Sequence, residues 1–364
     1  MNDTRQEAGT SDEPEVVFLI CSERSGSNLI RAVVDAHSHY CAPAPTHLAD
    51  FLHSAYCYGD LELDANWSRL VSDLVRQYSR RAEFVGVEVD ANELLREVRR
   101  GDVRGLYLYV HKKAMRHTKK SRLFLKENHT AAMFAVFDRH FPNAKYVFQM
   151  RDPRDYALSC KRARFDLPAM ASVAHTTKIW AMDQHAALSV SHALGPERVF
   201  VQRYEDLVAD PETVLRALCA FLGVDFESDL LTFNEKASAK RSAEFRGWKN
   251  LDRPFMATNT AKYRSDLSAL EIRAIELRLG PLMQRFGYEL DYPRPGRVMK
   301  QALSGFLLSA QSRGNLGLAF RRRDLMVPDF FSTPIERVEP DRRSQDLERT
   351  VALGYQRHDV STPE

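Results

Sequence analysis

Apolar runs of four to seven residues recur along the chain, separated by polar turns and by segments with apolar residues at helical spacing. The first run, Val16–Cys21, is continuous and β-branched at its start, which is typical of a strand buried on both faces of a parallel sheet. Similar runs predict strands at Leu123–Lys126, Ala144–Met150 and Val199–Gln202. Strands that alternate with helices predict the α/β class, a central parallel sheet flanked by helices and joined by right-handed crossovers.

Between these strands, apolar residues recur every three or four positions and predict helices. Asp210 and Pro211 are typical of a helix start and precede the predicted helix Thr213–Leu222. Gly287 closes the long predicted helix Leu270–Phe286. Further helices are predicted at Asn28–Ala36, His47–Tyr56, Trp67–Arg81, Ala91–Arg99, Thr130–His140 and from Ala157 onward.

Length and composition indicate how the chain is organised. Its 364 residues are 44% hydrophobic and 28% charged, enough for one large or two medium cores. Because no internal repeat or low-complexity block is present, we expect one α/β domain with helical elaborations over residues 16–292. Residues 1–15 are polar and acidic and are expected to form a loose tail. Residues 293–333 are expected to form a basic helical extension, and residues 334–364 a charged tail.

Charge, hydropathy and cysteine usage narrow the class of protein. The chain has 52 Lys and Arg against 49 Asp and Glu, a net charge of +3, whereas a dedicated nucleic-acid binder is usually more basic. It lacks a run of about 18 apolar residues and an apolar stretch near its start, so neither a membrane span nor a secretory signal is predicted. Five scattered cysteines without a C-x-x-C pair argue against a zinc ribbon or a disulfide framework. These features favour a cytoplasmic enzyme.

Two basic segments bear on possible partners. Residues 111–122 hold six Lys or Arg, and residues 294–323 hold seven without an acidic residue. In the second segment, apolar residues at helical spacing would form one helix face, which suits peripheral contact with an anionic membrane surface. The alternative is a helix docked on the domain with its polar side in solvent.

A polar segment, Ser22–Asn28, follows the first strand and opens the first helix. Free N–H groups at a helix start, with the helix dipole behind them, bind phosphate, and a glycine lets the backbone approach the anion closely. The Walker A pattern is absent. The alternative is an ordinary polar turn with a serine cap. The candidate ligands of an anion are Arg24, Ser25, Gly26, Ser27 and Asn28.

A second candidate site begins at Arg151, directly after the predicted strand Ala144–Met150, with Ser159 eight residues later on the next helix. A residue at the carboxyl end of a parallel strand points into the ligand crevice, where an arginine can bind a phosphate through two hydrogen bonds. The alternative is a surface ion pair with Asp152 or Asp155.

Together these segments make the chain resemble the sulfotransferases that use 3′-phosphoadenosine 5′-phosphosulfate (PAPS). Their 5′-phosphosulfate loop is similar to Glu23–Leu29, and their 3′-phosphate motif is an arginine ending a strand in R-D-P-R-D with a serine eight residues on. Their Tyr-Glu-Asp segment corresponds to Tyr204–Asp206. Their basic-aromatic segment that covers the nucleotide corresponds either to residues 247–250 or to Lys262, Tyr263 and Arg264.

The resemblance runs from about Val16 to Leu290 and implies a P-loop-like sulfotransferase fold, PAPS as donor and 3′-phosphoadenosine 5′-phosphate (PAP) as product. It implies that Arg24 and Lys126 supply positive charge at the transferred group, so that no metal is required. Sulfuryl transfer moves a group in line between two oxygens, and catalysis rests on positioning and charge stabilisation.

The acceptor hydroxyl also needs a base, and here the chain departs from the family pattern. Some members carry a glutamate shortly after the first helix, where this chain has Ala42–His47 and no carboxylate before Asp50. Others use a histidine just after the lysine, which here is displaced by one position. Our candidate bases, in order, are His47, His129 and Glu127.

We therefore expect a PAPS-dependent sulfotransferase acting on a hydroxyl of a small molecule or glycan, carbohydrate or lipid-linked, and not on nucleic acid. One alternative is a kinase-like phosphoryl transferase that uses the same strand–loop–helix anion site, although no carboxylate for Mg²⁺ is evident near Ser27. Another is a non-catalytic relative that binds PAP or another nucleotide.

Overall fold

The structure is a computed structural model that describes residues 13–128, 130–163, 172–244, 248–293, 296, 298 and 301–305. Its centre is a five-stranded sheet in the order β2-β3-β1-β4-β5, with every neighbouring pair parallel. The strands are β1 Val16–Ile20, β2 Tyr40–Cys41, β3 Arg122–Lys126, β4 Lys145–Met150 and β5 Val199–Arg203. The predicted α/β class and the four predicted strands are confirmed; the two-residue β2 was not predicted.

Helices flank both faces of the sheet and account for most of the remaining described chain. The helices are α1 Ser27–Asp35, α2 Ala49–Ser54, α3 Asp64–Ser79, α4 Ala82–Val85, α5 Ala91–Glu97, α6 Val103–Thr118, α7 Phe134–His140, α8 Pro153–Arg162, α9 Val173–Leu194, α10 Tyr204–Ala209, α11 Pro211–Leu222, α12 Ala237–Ala243, α13 Tyr263–Asp266 and α14 Ala269–Arg285. Short 3₁₀ turns lie at Ala55–Tyr58, Ser228–Leu230, Phe233–Glu235 and Ala257–Asn259.

Strand β1 is buried on both faces, as its continuous apolar sequence predicted. Phe18 and Ile20 belong to the core that includes α3, α6 and α14, while Val17 and Leu19 belong to the core beneath α1 and α11. The sheet is therefore a middle layer between two apolar cores, and its strands have the apolar character expected of parallel sheets.

The register brings the carboxyl ends of the strands to one edge. Leu19 lies opposite Lys126 across β1 and β3, and Gln149 lies opposite Gln202 across β4 and β5. Because parallel strands end at the same edge, the segments that follow β1, β3, β4 and β5 meet there. This edge holds the candidate site.

Side-chain caps fix several helix starts. Asp152 accepts a hydrogen bond from the Arg154 N–H at the start of α8, where Pro153 takes the first position. Ser268 and Glu271 form a capping box at the start of α14. The helix predicted at Thr213–Leu222 starts two residues earlier, at Pro211, with Asp210 as its cap.

Parts of the predicted tail and extension lie outside the described residues. Of the predicted tail, residues 1–12 lie outside, whereas Glu13 forms an ion pair with Arg104. Of the predicted extension at 293–333, residues 298 and 301–305 are helical, and residues 294, 295, 297, 299, 300 and 306–333 lie outside, among them three of the six apolar residues of the proposed membrane-contacting face. No helix among the described residues is long and apolar enough to cross a membrane.

Candidate active site

The loop between β1 and α1 follows the course expected for an anion-binding turn. Arg24 (φ 66°) and Gly26 (φ 81°) have left-handed backbone conformations, and α1 begins at Ser27. A Cβ atom at Gly26 would lie 2.3 Å from Cδ2 of Tyr204. The turn therefore requires glycine for both its backbone angle and its contact with the tyrosine ring.

Several polar groups of this loop have no partner among the described residues. Helix geometry leaves the first N–H groups of α1 without an intrahelical acceptor. Ser25 Oγ and Asn28 Oδ1 are buried and make no hydrogen bond to any described residue. Buried polar groups are normally satisfied, so unpaired hydroxyl and N–H groups beside a helix start suit an anionic ligand. Ser27 is buried and hydrogen-bonds to Cys21, the residue after β1, whose thiol pKa burial raises to about 11.

Arg151, at the end of β4, lies against the loop as the sequence predicted. Its Nη1 donates to the backbone oxygen of Arg24 at 3.1 Å, and its Nη2 donates to the backbone oxygen of Asn259 at 3.0 Å. Its guanidinium carbon lies 4.6 Å from the ring centroid of Tyr204, a cation–π contact. Its Nε is buried without a partner in the described structure. Arg151 is thus held by neutral groups and retains a donor for an anion.

Arg24 and Ser159 form a second contact between the loop after β1 and the segment that follows β4. Arg24 Nε donates to Ser159 Oγ at 3.3 Å, so the serine of α8 reaches the loop after β1. Burial, with a smaller contribution from the Arg151 charge, lowers the pKa of Arg24. Two guanidinium groups in one partly buried site repel each other, and an anion between them would relieve that repulsion.

The segment Ala257–Lys262 covers Arg151 and Tyr204. Asn259 Nδ2 donates to the Tyr204 hydroxyl at 2.7 Å, and Lys262 Nζ donates to Asn259 Oδ1 at 2.8 Å. Tyr204 and Lys262 therefore belong to the same site as Arg151.

Tyr263 and Arg264 contact a neighbouring cluster instead. Tyr263 is buried under Arg154, whose guanidinium carbon is 4.2 Å from the ring centroid. Arg264 forms an ion pair with Asp291 at 2.9 Å. In the alternative segment, Gly247 lies outside the described residues, and the Trp248 ring contacts Phe84 with ring centroids 6.1 Å apart.

Asp155 fixes the covering segment to α8. Its carboxylate accepts hydrogen bonds from the backbone N–H groups of Ala261 at 2.6 Å and Tyr263 at 3.0 Å. Ala261 has a left-handed backbone conformation, with φ of 54°. Desolvation by burial raises the pKa of the Asp155 carboxyl, partly opposed by the Arg151 charge and these N–H groups.

Lys126 ends β3 at the same edge. It is buried, with 8% of its surface exposed, and its Nζ donates to Asn128 Oδ1 at 2.6 Å. Because Leu19 is its partner across the sheet, Lys126 lies beside the end of β1, where the loop begins. The structure thus brings this predicted lysine to the loop side of the sheet.

Glu127 points into a buried polar cluster with residues of the loop after β2 and of α6. Thr46 Oγ1 donates to Glu127 Oε1 at 2.8 Å and lies 3.2 Å from Nε2 of His111. Tyr107 donates to the same carboxylate oxygen at 3.4 Å. Burial raises the pKa of Glu127 to about 7 and lowers that of His111 to about 4. Glu127 is therefore poised to exchange a proton near neutral pH.

His47 follows Thr46 in a strained conformation. Its φ is 57°, a left-handed value uncommon for a residue with a side chain, and the side chain is half-buried. Its backbone oxygen accepts a hydrogen bond from Gln77 of α3. Such strain persists where the surroundings enforce it, which is common at functional sites. His129, the second candidate base, lies outside the described residues.

Gln149, Asn259 and Thr46 were not predicted as site residues from the sequence. Gln149 is fully buried and donates to the backbone oxygen of Ser25 at 2.7 Å. A polar residue inside the apolar run Ala144–Met150 was the available signal for it. In the described part of the chain, no group of three or more His, Cys, Asp or Glu side chains is arranged to hold a metal ion.

Comparison with known proteins identifies the family of the chain. The model of the sulfotransferase family matches residues 14–228. The protein-tyrosine sulfotransferase of Drosophila melanogaster is 24% identical over an alignment of 230 residues that covers 61% of this chain. The matched region is only 41% of that protein's length.

Two solved structures share the fold. The sulfotransferase domain of the Synechococcus PCC 7002 olefin synthase is 24% identical, with a TM-score of 0.55 over 79% of this chain and all of that domain. The sulfotransferase domain from the curacin biosynthetic pathway is 21% identical, with a TM-score of 0.54 over 76% of this chain and 99% of that domain. Because the family model covers more than half of the chain, the chain belongs to the sulfotransferase family.

Proposed function

We propose that the protein transfers a sulfuryl group from PAPS to an acceptor hydroxyl and releases PAP. One observation carries the proposal: the loop after β1 and the arginine that follows β4 meet, and each of them has a donor without a partner among the described residues. Arg151 donates to the Arg24 backbone, while the donors Ser25 Oγ and Arg151 Nε make no hydrogen bond to described residues. A ligand with one anionic group at each segment would satisfy them.

Each of the two segments would bind one end of PAPS. The N–H groups at the start of α1, with Ser25, Ser27 and Asn28, would bind the 5′-phosphosulfate. Arg151 and Ser159 would bind the 3′-phosphate, and Tyr204 and Lys262 would flank the nucleotide. Tyr263 and Arg264 would not touch the nucleotide themselves. The backbone N–H of Tyr263 donates to the Asp155 carboxylate, and this hydrogen bond holds residues 259–262 in place beside the nucleotide.

The reaction then needs few chemical groups from the protein. The acceptor oxygen attacks sulfur, the bond from sulfur to the bridging phosphate oxygen breaks, and the acceptor proton passes to a base. The products are a sulfate ester, PAP and one proton. Arg24 and Lys126 would stabilise charge on the transferred group and on the leaving phosphate, a role that fixed cations perform well in a partly buried site.

We assign the base to His47 first and to Glu127 second. The backbone of His47 is fixed on both sides, by the Thr46–Glu127 hydrogen bond and by Gln77. Glu127 is buried beside Lys126, and burial raises its pKa to about 7. A base whose pKa is near the working pH is efficient in general catalysis. The variants His47→Ala and Glu127→Gln distinguish the two candidate bases, with exposed His117→Ala in α6 as the control. The variant that lacks the base should lose turnover while it binds PAP normally.

The acceptor and the location complete the proposal. We propose a hydroxyl of a carbohydrate or lipid-linked glycan as the acceptor, and the name of the Drosophila relative adds a tyrosine side chain to the screen. The five cysteines are all free, which supports a reducing, cytoplasmic location. Contact of the basic segment 294–323 with a membrane surface stays a prediction.

Ligand-dependent thermal stability tests the donor assignment. A ligand that binds only the folded state raises stability by about RT ln(1 + [L]/Kd). We expect PAP to raise the unfolding midpoint clearly, and ATP and GTP to raise it little. A larger effect of ATP or GTP would overturn the PAPS assignment and favour phosphoryl transfer. Labelled PAPS and a panel of glycan, lipid-linked and tyrosine-peptide acceptors would then identify the acceptor.

A further inference from the structure

A chain of buried amide side chains connects the two central strand ends to the loop after β1. Gln202 Nε2 donates to Gln149 Oε1 at 2.7 Å, and Gln149 Nε2 donates to the backbone oxygen of Ser25 at 2.7 Å. Gln149 is fully buried and Gln202 is 6% exposed. Because the Gln149 side-chain oxygen accepts a hydrogen bond from Gln202, its side-chain nitrogen faces the loop.

The hydrogen bond from Gln149 orients the peptide bond between Ser25 and Gly26. In a trans peptide the carbonyl and the N–H point in opposite directions. Gln149 draws the Ser25 carbonyl toward β4, so the Gly26 N–H points away from Gln149. This N–H has no acceptor among the described residues. It therefore adds one donor to those at the start of α1.

We propose that Gln149 is a positioning residue for sulfuryl transfer, which fixes this peptide so that the Gly26 N–H binds the 5′-phosphosulfate of the donor. The inference rests on the proposed function. Gly26 has no Cβ to oppose a peptide flip, and its φ of 81° lies in a region that glycine leaves in either direction easily. Without Gln149 the carbonyl of Ser25 can turn toward the anion, where an oxygen would repel it.

The prediction is specific to one end of the ligand. PAP carries both a 5′- and a 3′-phosphate, whereas adenosine 3′-monophosphate (3′-AMP) has only the phosphate assigned to Arg151 and Ser159. A misplaced loop peptide weakens binding of PAP and leaves binding of 3′-AMP unchanged. General loosening of the fold weakens both ligands together.

Calorimetric titration of the full chain with PAP and with 3′-AMP tests this inference. We expect Gln149→Met to weaken PAP tenfold or more and 3′-AMP less than twofold. Gln202→Met removes only the hydrogen bond that restrains Gln149 and should weaken PAP binding about threefold. If Gln149→Met does not fold, Gln202→Met provides the test. Gln184→Met is the matched control, since Gln184 is also buried and donates to the loop, but to the Ser22 side chain at 3.0 Å. It should preserve the ratio of the two affinities.

The outcomes separate this inference from the function on which it rests. If wild-type protein binds PAP and 3′-AMP, and the Gln149 and Gln202 variants lose both equally or lose neither, Gln149 does not position the peptide. If the wild-type protein does not bind PAP, the proposed function fails, and the role of Gln149 fails with it.

Discussion

The guanidinium of Arg151 donates a hydrogen bond to the backbone oxygen of Arg24, 3.1 Å away, and so ties the end of β4 to the loop after β1. Both acceptors of Arg151, at Arg24 and Asn259, are neutral carbonyl oxygens. Neutral acceptors do not cancel the positive charge of the guanidinium, so an anion at this site would still gain a favourable Coulomb interaction with it.

The first prediction concerns Arg151→Ala. Hydrogen bonds to charged groups contribute roughly 1.5–3 kcal/mol, so we expect PAP affinity to fall by about that amount. Calorimetric titration measures it directly. The control is Arg216→Ala in α11, where the arginine forms an exposed pair with Glu212, and PAP affinity should not change. Unchanged affinity in Arg151→Ala would place the 3′-phosphate elsewhere.

The second prediction compares two glycines that share a left-handed backbone. Gly26 (φ 81°) faces Tyr204, and a Cβ there would lie 2.3 Å from the ring, whereas a Cβ at Gly223 (φ 70°) would meet no side chain of the described residues within 4 Å. Gly223→Ala should cost only the backbone strain, about 1–2 kcal/mol. Gly26→Ala should cost at least about 1 kcal/mol more, since overpacking costs typically 1–3 kcal/mol.

Urea denaturation provides both free energies of unfolding. Adding Tyr204→Ala to Gly26→Ala should recover part of the extra loss, because the contact is then relieved. Equal losses for the two glycine variants would mean that the tyrosine ring moves aside without cost, and that Gly26 is needed only for its backbone angle.

The parts of this site that depend on residues close together in the chain could be predicted from the sequence. The strand–loop–helix at residues 16–36 and the arginine after β4 were predictable from local signals: a continuous apolar run predicts a buried strand, a glycine permits a tight turn and a proline ends a strand. Helix α6 was missed because its charged residues hide the apolar ones on its inner face. The role of Gln149 depends on its register with Gln202 across β4 and β5, and no single segment contains that information.

The third prediction concerns the pH dependence of stability at Glu127. Its pKa is raised to about 7 in the folded protein, while an unfolded glutamate has a pKa of about 4.3. Between these values the folded state binds more protons than the unfolded state, so this group's contribution to stability falls as pH rises toward 7 and is constant above it. Glu127→Gln, which stays neutral, lacks this loss.

Relative to the wild type, the free energy of unfolding of Glu127→Gln should therefore increase between pH 5 and pH 8, by roughly 1–3 kcal/mol. The comparison with wild type is needed because His111, whose pKa is lowered to about 4, has the opposite dependence between pH 4 and 6.5. Denaturation at several pH values gives the difference, with Glu212→Gln on the exposed face of α11 as a control. A difference that does not vary with pH would mean that Glu127 titrates normally.

The last prediction separates donor binding from transfer at Lys126. This lysine is 8% exposed, and among the described residues its ammonium group hydrogen-bonds only to the neutral Asn128 side chain and to no carboxylate. If it contacts the transferred group, its stabilisation grows as charge develops in the transition state. Lys126→Ala should then lower turnover by about 100-fold, similar to the loss of one oxyanion donor, and weaken PAP less than about threefold, since PAP lacks the sulfonate.

A labelled-PAPS assay and PAP titration measure the two effects on the same preparation. Asn128→Ala is the matched control: it removes the partner of Lys126 and leaves the charge, so turnover should fall far less than in Lys126→Ala. Loss of PAP affinity equal to the loss of turnover would make Lys126 a nucleotide-binding residue. Full turnover in Lys126→Ala would leave Arg24 as the cation that we assign to the transferred group.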